Sequence, residues 1–156
     1  MFPMKNALLL LTLAALTFSC HRETEEVIPE ADYLIFGYHV CFCDNCCTTG
    51  YKIREGNLFK GEKADLQAPY KFDSTPLEAS KYELAKKLLE DLPTELLNEN
   101  GQLFGCGGCL DQPVYYVELK KDDVVYKWQI DSRIADLPAY LQDYGNDLGE
   151  VLLDLQ

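Results

Sequence analysis

The chain has 156 residues, with 14 Lys or Arg against 26 Asp or Glu and a formal net charge of −12. An acid excess of that size excludes nucleic acid and anionic lipid headgroups as electrostatic partners, because both would be repelled. Seven cysteines in so short a chain make the redox compartment the first question.

The N-terminus answers it. Lys5 is the single cation ahead of an apolar run over residues 7–18. A membrane span needs about 20 apolar residues, so this run fits a signal peptide instead. Ser19 then offers a small residue before Cys20. Residues 1–19 therefore read as a lipoprotein signal, and Cys20 as the lipidated first residue of the mature chain. Each buried methylene of its acyl chains contributes roughly 0.8 kcal/mol to anchoring. Losing the signal removes Lys5 and no acid, taking the charge to −13. Residues 20–31 are a tether kept solvated by Glu23, Glu25, Glu26 and Glu30. About 125 residues remain, enough for one domain with a core of its own over residues 32–156.

Along that domain, residues 33–43 alternate: Leu34, Phe36, Tyr38, Val40 and Phe42 share one face, Ile35, Gly37, His39, Cys41 and Cys43 the other. This predicts a strand with its apolar face on the core. A turn is expected over 44–50, a second strand over 51–54, turn chemistry at 55–57 and a third strand over 58–61. Residues 62–75 read as a loop. Thr75, Pro76 and Glu78 spell a capping box that opens a helix to about residue 91, with Leu77, Leu84, Ala85, Leu88 and Leu89 as its stripe. Pro93 ends it, and residues 95–98 suggest one more turn. Residues 114–120 and 124–130 form a hairpin, Tyr115, Val117 and Leu119 lining up with Val124, Tyr126, Trp128 and Ile130. A last helix begins near 137–138 and carries Tyr140, Leu141, Tyr144, Leu148, Val151, Leu152 and Leu155; Gly145 and Gly149 weaken it, so packing must hold it. The order βββ-α-ββ-α predicts an α+β domain: an antiparallel sheet of about five strands with two helices on one face.

Export turns the six remaining cysteines into disulfide candidates: Cys41, Cys43, Cys46, Cys47, Cys106 and Cys109. Cys41 and Cys43 sit roughly 6.5–7 Å apart on one strand face, at the limit of a disulfide, and adjacent Cys46 and Cys47 would need a strained ring. Local pairing of Cys41 and Cys43 with Cys46 and Cys47, plus Cys106 with Cys109, competes with links between the two clusters. The alternative is a thiolate site for Cu(I) or Zn(II), drawing on His39 with the same six cysteines. A thiol–disulfide redox role comes third. Cys106-Gly107-Gly108-Cys109 precedes a strand, where no helix dipole or nearby cation would stabilise a thiolate.

No Ser-based nucleophile motif and no Gly-rich phosphate loop is present. Asp122-Asp123 reads as a hairpin turn, and Asp143, Asn146, Asp147 and Glu150 as the solvated face of the last helix. Tyr115, Tyr116, Tyr126 and Trp128 are candidates for an aromatic recognition patch, although alternation assigns most of them to the core.

Several segments resemble small Bacteroidota-type lipoproteins. They are Tyr33-Leu34-Ile35-Phe36-Gly37, the first cysteine cluster, Leu92-Pro93-Thr94-Glu95-Leu96-Leu97, Cys106-x-x-Cys109-x-Asp111-Gln112 and Tyr115-Tyr116-Val117-Glu118-Leu119. The acidic run after Cys20 resembles their surface-export signal, implying an outer-membrane location that faces outward. The resemblance implies no activity and transfers no functional residue. The expectation is therefore a lipid-anchored, non-enzymatic binding module of the cell envelope, stapled by disulfides and needing no cofactor unless the thiolate site holds copper or zinc. Its partners would be the membrane, through the lipid, and a protein or small-molecule ligand.

Overall fold

The computed structural model describes residues 31–40, 47–63, 68–107 and 112–156, with residues 40 and 47 given by backbone alone. β1 (Ala31–Val40), β2 (Cys47–Arg54) and β3 (Asn57–Glu62) form an antiparallel meander. β4 (Lys71–Phe72), α1 (Ala79–Glu90), a 3-10 turn (Thr94–Asn98) and β5 (Leu103–Phe104) follow. β6 (Val114–Lys121) and β7 (Val124–Asp131) make a hairpin, and a second 3-10 turn (Ile134–Asp136) leads into α2 (Ala139–Asp154). The strands lie in the order β4-β3-β2-β1-β6-β7-β5.

The α+β class and both helices are as expected, but the sheet has seven strands among the described residues and is mixed, because β5 runs parallel to β7. The two extra strands are two residues long and sit at the edges. Both lie outside the segments predicted as strands, the first of them in the loop expected over 62–75, where two residues carry no periodicity to detect. β2 also begins at Cys47, so residues 47–50 are strand and not turn.

Alternation places the core correctly. Leu34 pairs with Ile53 and Leu119, Phe36 with Tyr51 and Val117, and Val117 with Trp128. All seven are buried against the helices. Both hairpin turns use left-handed residues, Glu55-Gly56 and Asp122-Asp123, the pattern of two-residue turns whose twist matches the strands.

α1 starts at Ala79, later than the capping box predicted, and has no side-chain N-cap. The reason lies in β3: the Leu77 N–H donates to the Leu58 carbonyl at 2.8 Å, which keeps the chain before the helix extended along the sheet. Ala85 and Leu88 are buried, and Leu77, Leu84 and Leu89 pack against the core. In α2 the two glycines are contact points. A Cβ on Gly145 would stand 2.8 Å from Ile134 Cδ1, and one on Gly149 would stand 2.9 Å from the Tyr115 hydroxyl. Close packing thus offsets the helix propensity lost at both positions. The end of α2 is tied to the sheet by the Tyr51 hydroxyl, which donates to the Leu155 carbonyl at 3.0 Å.

Both sheet edges are blunted. On β7 the Asn100 side chain accepts from Lys127 N–H at 2.9 Å and donates to the Val125 carbonyl at 3.2 Å, standing in for a neighbouring strand. On β3, Asp73 N–H reaches the Lys60 carbonyl at 2.8 Å. Covered edges of this kind resist strand addition by another chain.

Candidate functional site

The helices cover one face of the sheet. Across the other runs a row in register: Tyr116 of β6, Gly37 of β1, Gly50 of β2, Gly61 of β3 and Phe72 of β4. Three adjacent glycines leave a trough, and aromatic rings fill it. A Cβ on Gly50 would lie 2.3 Å from the Tyr70 ring, and one on Gly61 would lie 2.6 Å from the Phe72 ring. Tyr70 packs on Phe72 and Tyr116 with ring centroids 5.5 and 6.2 Å apart.

Cations sit on these rings. Lys63 Nζ lies 4.5 Å from the centre of Tyr70 and 5.0 Å from that of Tyr116. Lys52 Nζ lies 4.5 Å over Tyr33 and 5.5 Å from Phe72. Such contacts are attractive through the ring quadrupole. Lys52, Arg54, Lys120 and Lys127 project from this face by strand parity, and Lys63, just past β3, is on it by its contacts with the Tyr70 and Tyr116 rings. Five of the 14 Lys and Arg of the chain are thus on the open face.

Glu118 lies at the centre. Its carboxylate accepts from the Tyr33 hydroxyl at 2.9 Å, from the Tyr116 hydroxyl and from Lys127 Nζ at 3.2 Å, with its side chain only 13% exposed. Burial opposes its ionisation, but the two phenol donors and the Lys127 charge outweigh that and hold its pKa below the usual carboxylate value. The phenols move the other way: burial first, then Glu118, pushes Tyr33 and Tyr70 up to about 12 and raises Tyr116 further.

These shifts fix the expected pH dependence. A carboxyl whose folded pKa is depressed contributes stability that is complete above its unfolded value of about 4.3 and lost as pH falls through the folded value. A phenol whose folded pKa is raised contributes stability that is lost as pH rises from about 10 toward 12. Glu118→Gln is expected to flatten the acid limb of a stability–pH curve from urea unfolding, while Tyr116→Phe flattens the alkaline limb. Unchanged limbs in both variants would refute the assignment.

The proposed cysteine chemistry maps to one end of the sheet. Val40 pairs with Cys47, His39 with Thr48 and Val114, and Val114 with Asp131. Asp131, 1% exposed, accepts from the Cys106 and Gly107 N–H groups at 3.0 and 3.1 Å through Oδ2 and from Arg133 N–H at 2.8 Å through Oδ1. The flanks of the two cysteine clusters, distant in sequence, thus lie within a few strands of each other. Cys106 is in a disulfide whose partner is beyond the described side chains. Cys20, Cys41, Cys43, Cys46 and Cys109 lie outside the described residues, as does the Cys47 side chain. His39 is half-buried on the open face, and burial followed by the Lys63 charge lowers its pKa. Among the described residues, no cluster of three or more His, Cys, Asp or Glu side chains is arranged to hold a metal.

The aromatic patch differs from the expected one. Trp128 is buried, and Tyr115 and Tyr126 pack against the core; Tyr116 alone of the four is on the open face. Its companions Tyr70 and Phe72 come from the segment read as loop. One signal for them was present in the sequence: glycines at 37, 50 and 61 within strands mark the close approach of another group. Asp131 gave no signal, since a single acid at a strand end is usually solvated.

No described helix is long and apolar enough to cross a membrane. No protein-family model matches the chain, and no curated protein matches it as a relative.

Proposed function

We propose that the chain is a lipid-anchored binding module of the cell envelope, attached through Cys20 and working by ligand contact at the open sheet face. The observation that carries this reading is that face: a glycine trough inlaid with Tyr70, Phe72 and Tyr116, with lysines seated on the rings. Its groups are suited to recognition and not to proton transfer near neutrality, because Glu118 is held ionised and its phenol donors are held neutral. Disulfides among Cys41, Cys43, Cys46, Cys47, Cys106 and Cys109 would staple the end of the sheet, and the convergence of both cluster flanks there favours at least one bond between clusters. The same convergence, with His39 beside it, is what supports the copper or zinc alternative.

Two measurements test this. Wild-type protein is expected in the membrane fraction and labelled by palmitate, with Cys20→Ala unlabelled and released; identical distribution of the two would overturn the anchoring. Intact mass without reductant is expected six hydrogens below the fully reduced value, one pair for each of three bonds among the six candidate cysteines. Six free thiols with bound copper or zinc would instead establish the metal site.

A further inference from the structure

At one end of the open face, Tyr33, three cations (Lys52, Arg54 and Lys120) and three acids (Asp32, Glu55 and Asp123) line an open cavity of about 710 Å³, within the size range of small-ligand sites. Lys52 is the unusual member. It is half-buried on β2, between the rings of Tyr33 and Phe72. It makes no ion pair among the described residues, whereas the cations beside it all do. Arg54 is paired with Glu55 at 2.8 Å, and Lys120 with Asp32 and Asp123 at 3.0 and 3.3 Å. Those acids are exposed, Asp123 almost fully, so their pairs are weak and readily exchanged for another anion. Lys52 and Arg54 are two apart on one strand, with Cα atoms about 6.5–7 Å apart, and both line the same cavity. Asp32, Glu55 and Asp123 line the same cavity and balance its formal charge, so among the described residues the positive charge left without a carboxylate partner is that of Lys52.

We propose that this cavity binds a small cyclic carboxylate. Its carboxylate would take the Lys52 ammonium and the planar Arg54 fork, which matches a carboxylate in two-point geometry. Its ring would lie against Tyr33, whose hydroxyl is already committed to Glu118 at 2.9 Å and whose ring body is the apolar wall. This rests on the open face being the binding surface and names the chemistry of what binds there.

The test is calorimetric titration of the full lipidated chain in non-ionic detergent. Glucuronate and benzoate represent a sugar acid and an aromatic acid, with glucose and benzamide as neutral counterparts. At least one acid is expected to bind with a Kd below about 10 mM, its neutral counterpart at least about tenfold more weakly. Lys52→Met is expected to weaken that binding at least about tenfold, and Lys71→Met, on the exposed edge strand outside the cavity, to leave it unchanged. Should Lys52→Met fail to fold, the wild-type affinity must still fall with added salt, as ion pairing requires. Absence of binding by both acids, equal binding of acid and neutral forms, indifference to Lys52→Met, or indifference to salt would each overturn the proposal. A chain that is anchored through Cys20 yet binds neither acid loses only the ligand class, and the anchoring result is read separately.

Discussion

Trp128→Ala is expected to lower the unfolding free energy by about 3–5 kcal/mol, the range for removing a large aromatic from a packed core. Trp128 is 1% exposed and stacks on Tyr126 with centroids 5.9 Å apart. Its indole N–H is shared between the Leu96 and Glu99 carbonyls at 3.1 and 3.0 Å. The ring therefore does two things: it fills the space between β7 and the helical layer, and it holds the 3-10 turn after α1 against the sheet. Alanine leaves a cavity, a buried acceptor at Leu96 and a part-buried one at Glu99 without their donor. Trp128→Phe separates the effects, because it keeps most of the volume and loses only the N–H, for an expected cost of about 1–3 kcal/mol. Since a domain of this size has about 5–15 kcal/mol in total, the alanine variant is expected to be partly unfolded at 37 °C. The single tryptophan is also the fluorescence probe, so urea unfolding is followed by far-ultraviolet circular dichroism. An alanine variant within about 1 kcal/mol of wild type would mean that the ring is not part of the cooperative core.

What could be read from residue order alone follows from how each signal arises. Alternation is a local property with a period of two. Over β1, β6 and β7 it picked out Leu34, Phe36, Val117, Leu119, Trp128 and Ile130, and all six are buried; Ile35 and Val114, on the opposite face, are buried as well, which alternation did not indicate. Helical spacing did the same for α2. The capping box at Thr75 is also local, yet it lost to a long-range bond, the Leu77 N–H to Leu58 carbonyl pair; tertiary contacts of that kind override end signals. β4 and β5 exist only because Gly61 and Ile130 stand where Phe72 and Phe104 can pair with them. No window along the chain contains that information.

The open face was hidden for a related reason. Polar and charged residues alternating with apolar ones on a strand are read as solvent-facing, so Lys52, Glu118 and Lys127 looked like ordinary surface. What sets them apart is register, which brings Glu118 opposite Lys127 and Gly37 opposite Gly50, together with an incoming pair of rings from a segment without periodicity. The placement of charge is invisible in a net value of −12 for the same reason: it is a property of faces, and faces follow from pairing.

The second large effect is expected at Asp131. Its carboxylate is fully enclosed yet accepts three backbone N–H groups, from Cys106, Gly107 and Arg133. Gly105 closes over it: a Cβ there would fall 2.5 Å from Asp131 Cβ, and its φ of +82° also favours glycine. The aspartate thus ties the Cys106–Gly107 backbone to the end of β7 and sets the position from which Cys106 would reach a disulfide partner. Asp131→Ala removes the acceptor from all three donors. Bonds to a charged group contribute about 1.5–3 kcal/mol each, and water reaches the exposed ends at Cys106 and Gly107 to replace part of that, so the net loss is expected near 3 kcal/mol. Asp131→Asn is expected to cost nearly as much, because Oδ2 accepts two bonds and an amide at that position presents donors to donors. A merely local packing defect would lower stability and stop there. The role argued for Asp131 also predicts faster hydrogen exchange at the Cys106 and Gly107 amides and easier reduction of the Cys106 bond by dithiothreitol under native conditions. If both variants unfold earlier in urea but exchange and reduction rates at Cys106 match wild type, the carboxylate is only filling space, and the cysteine turn holds its shape by its own cross-link.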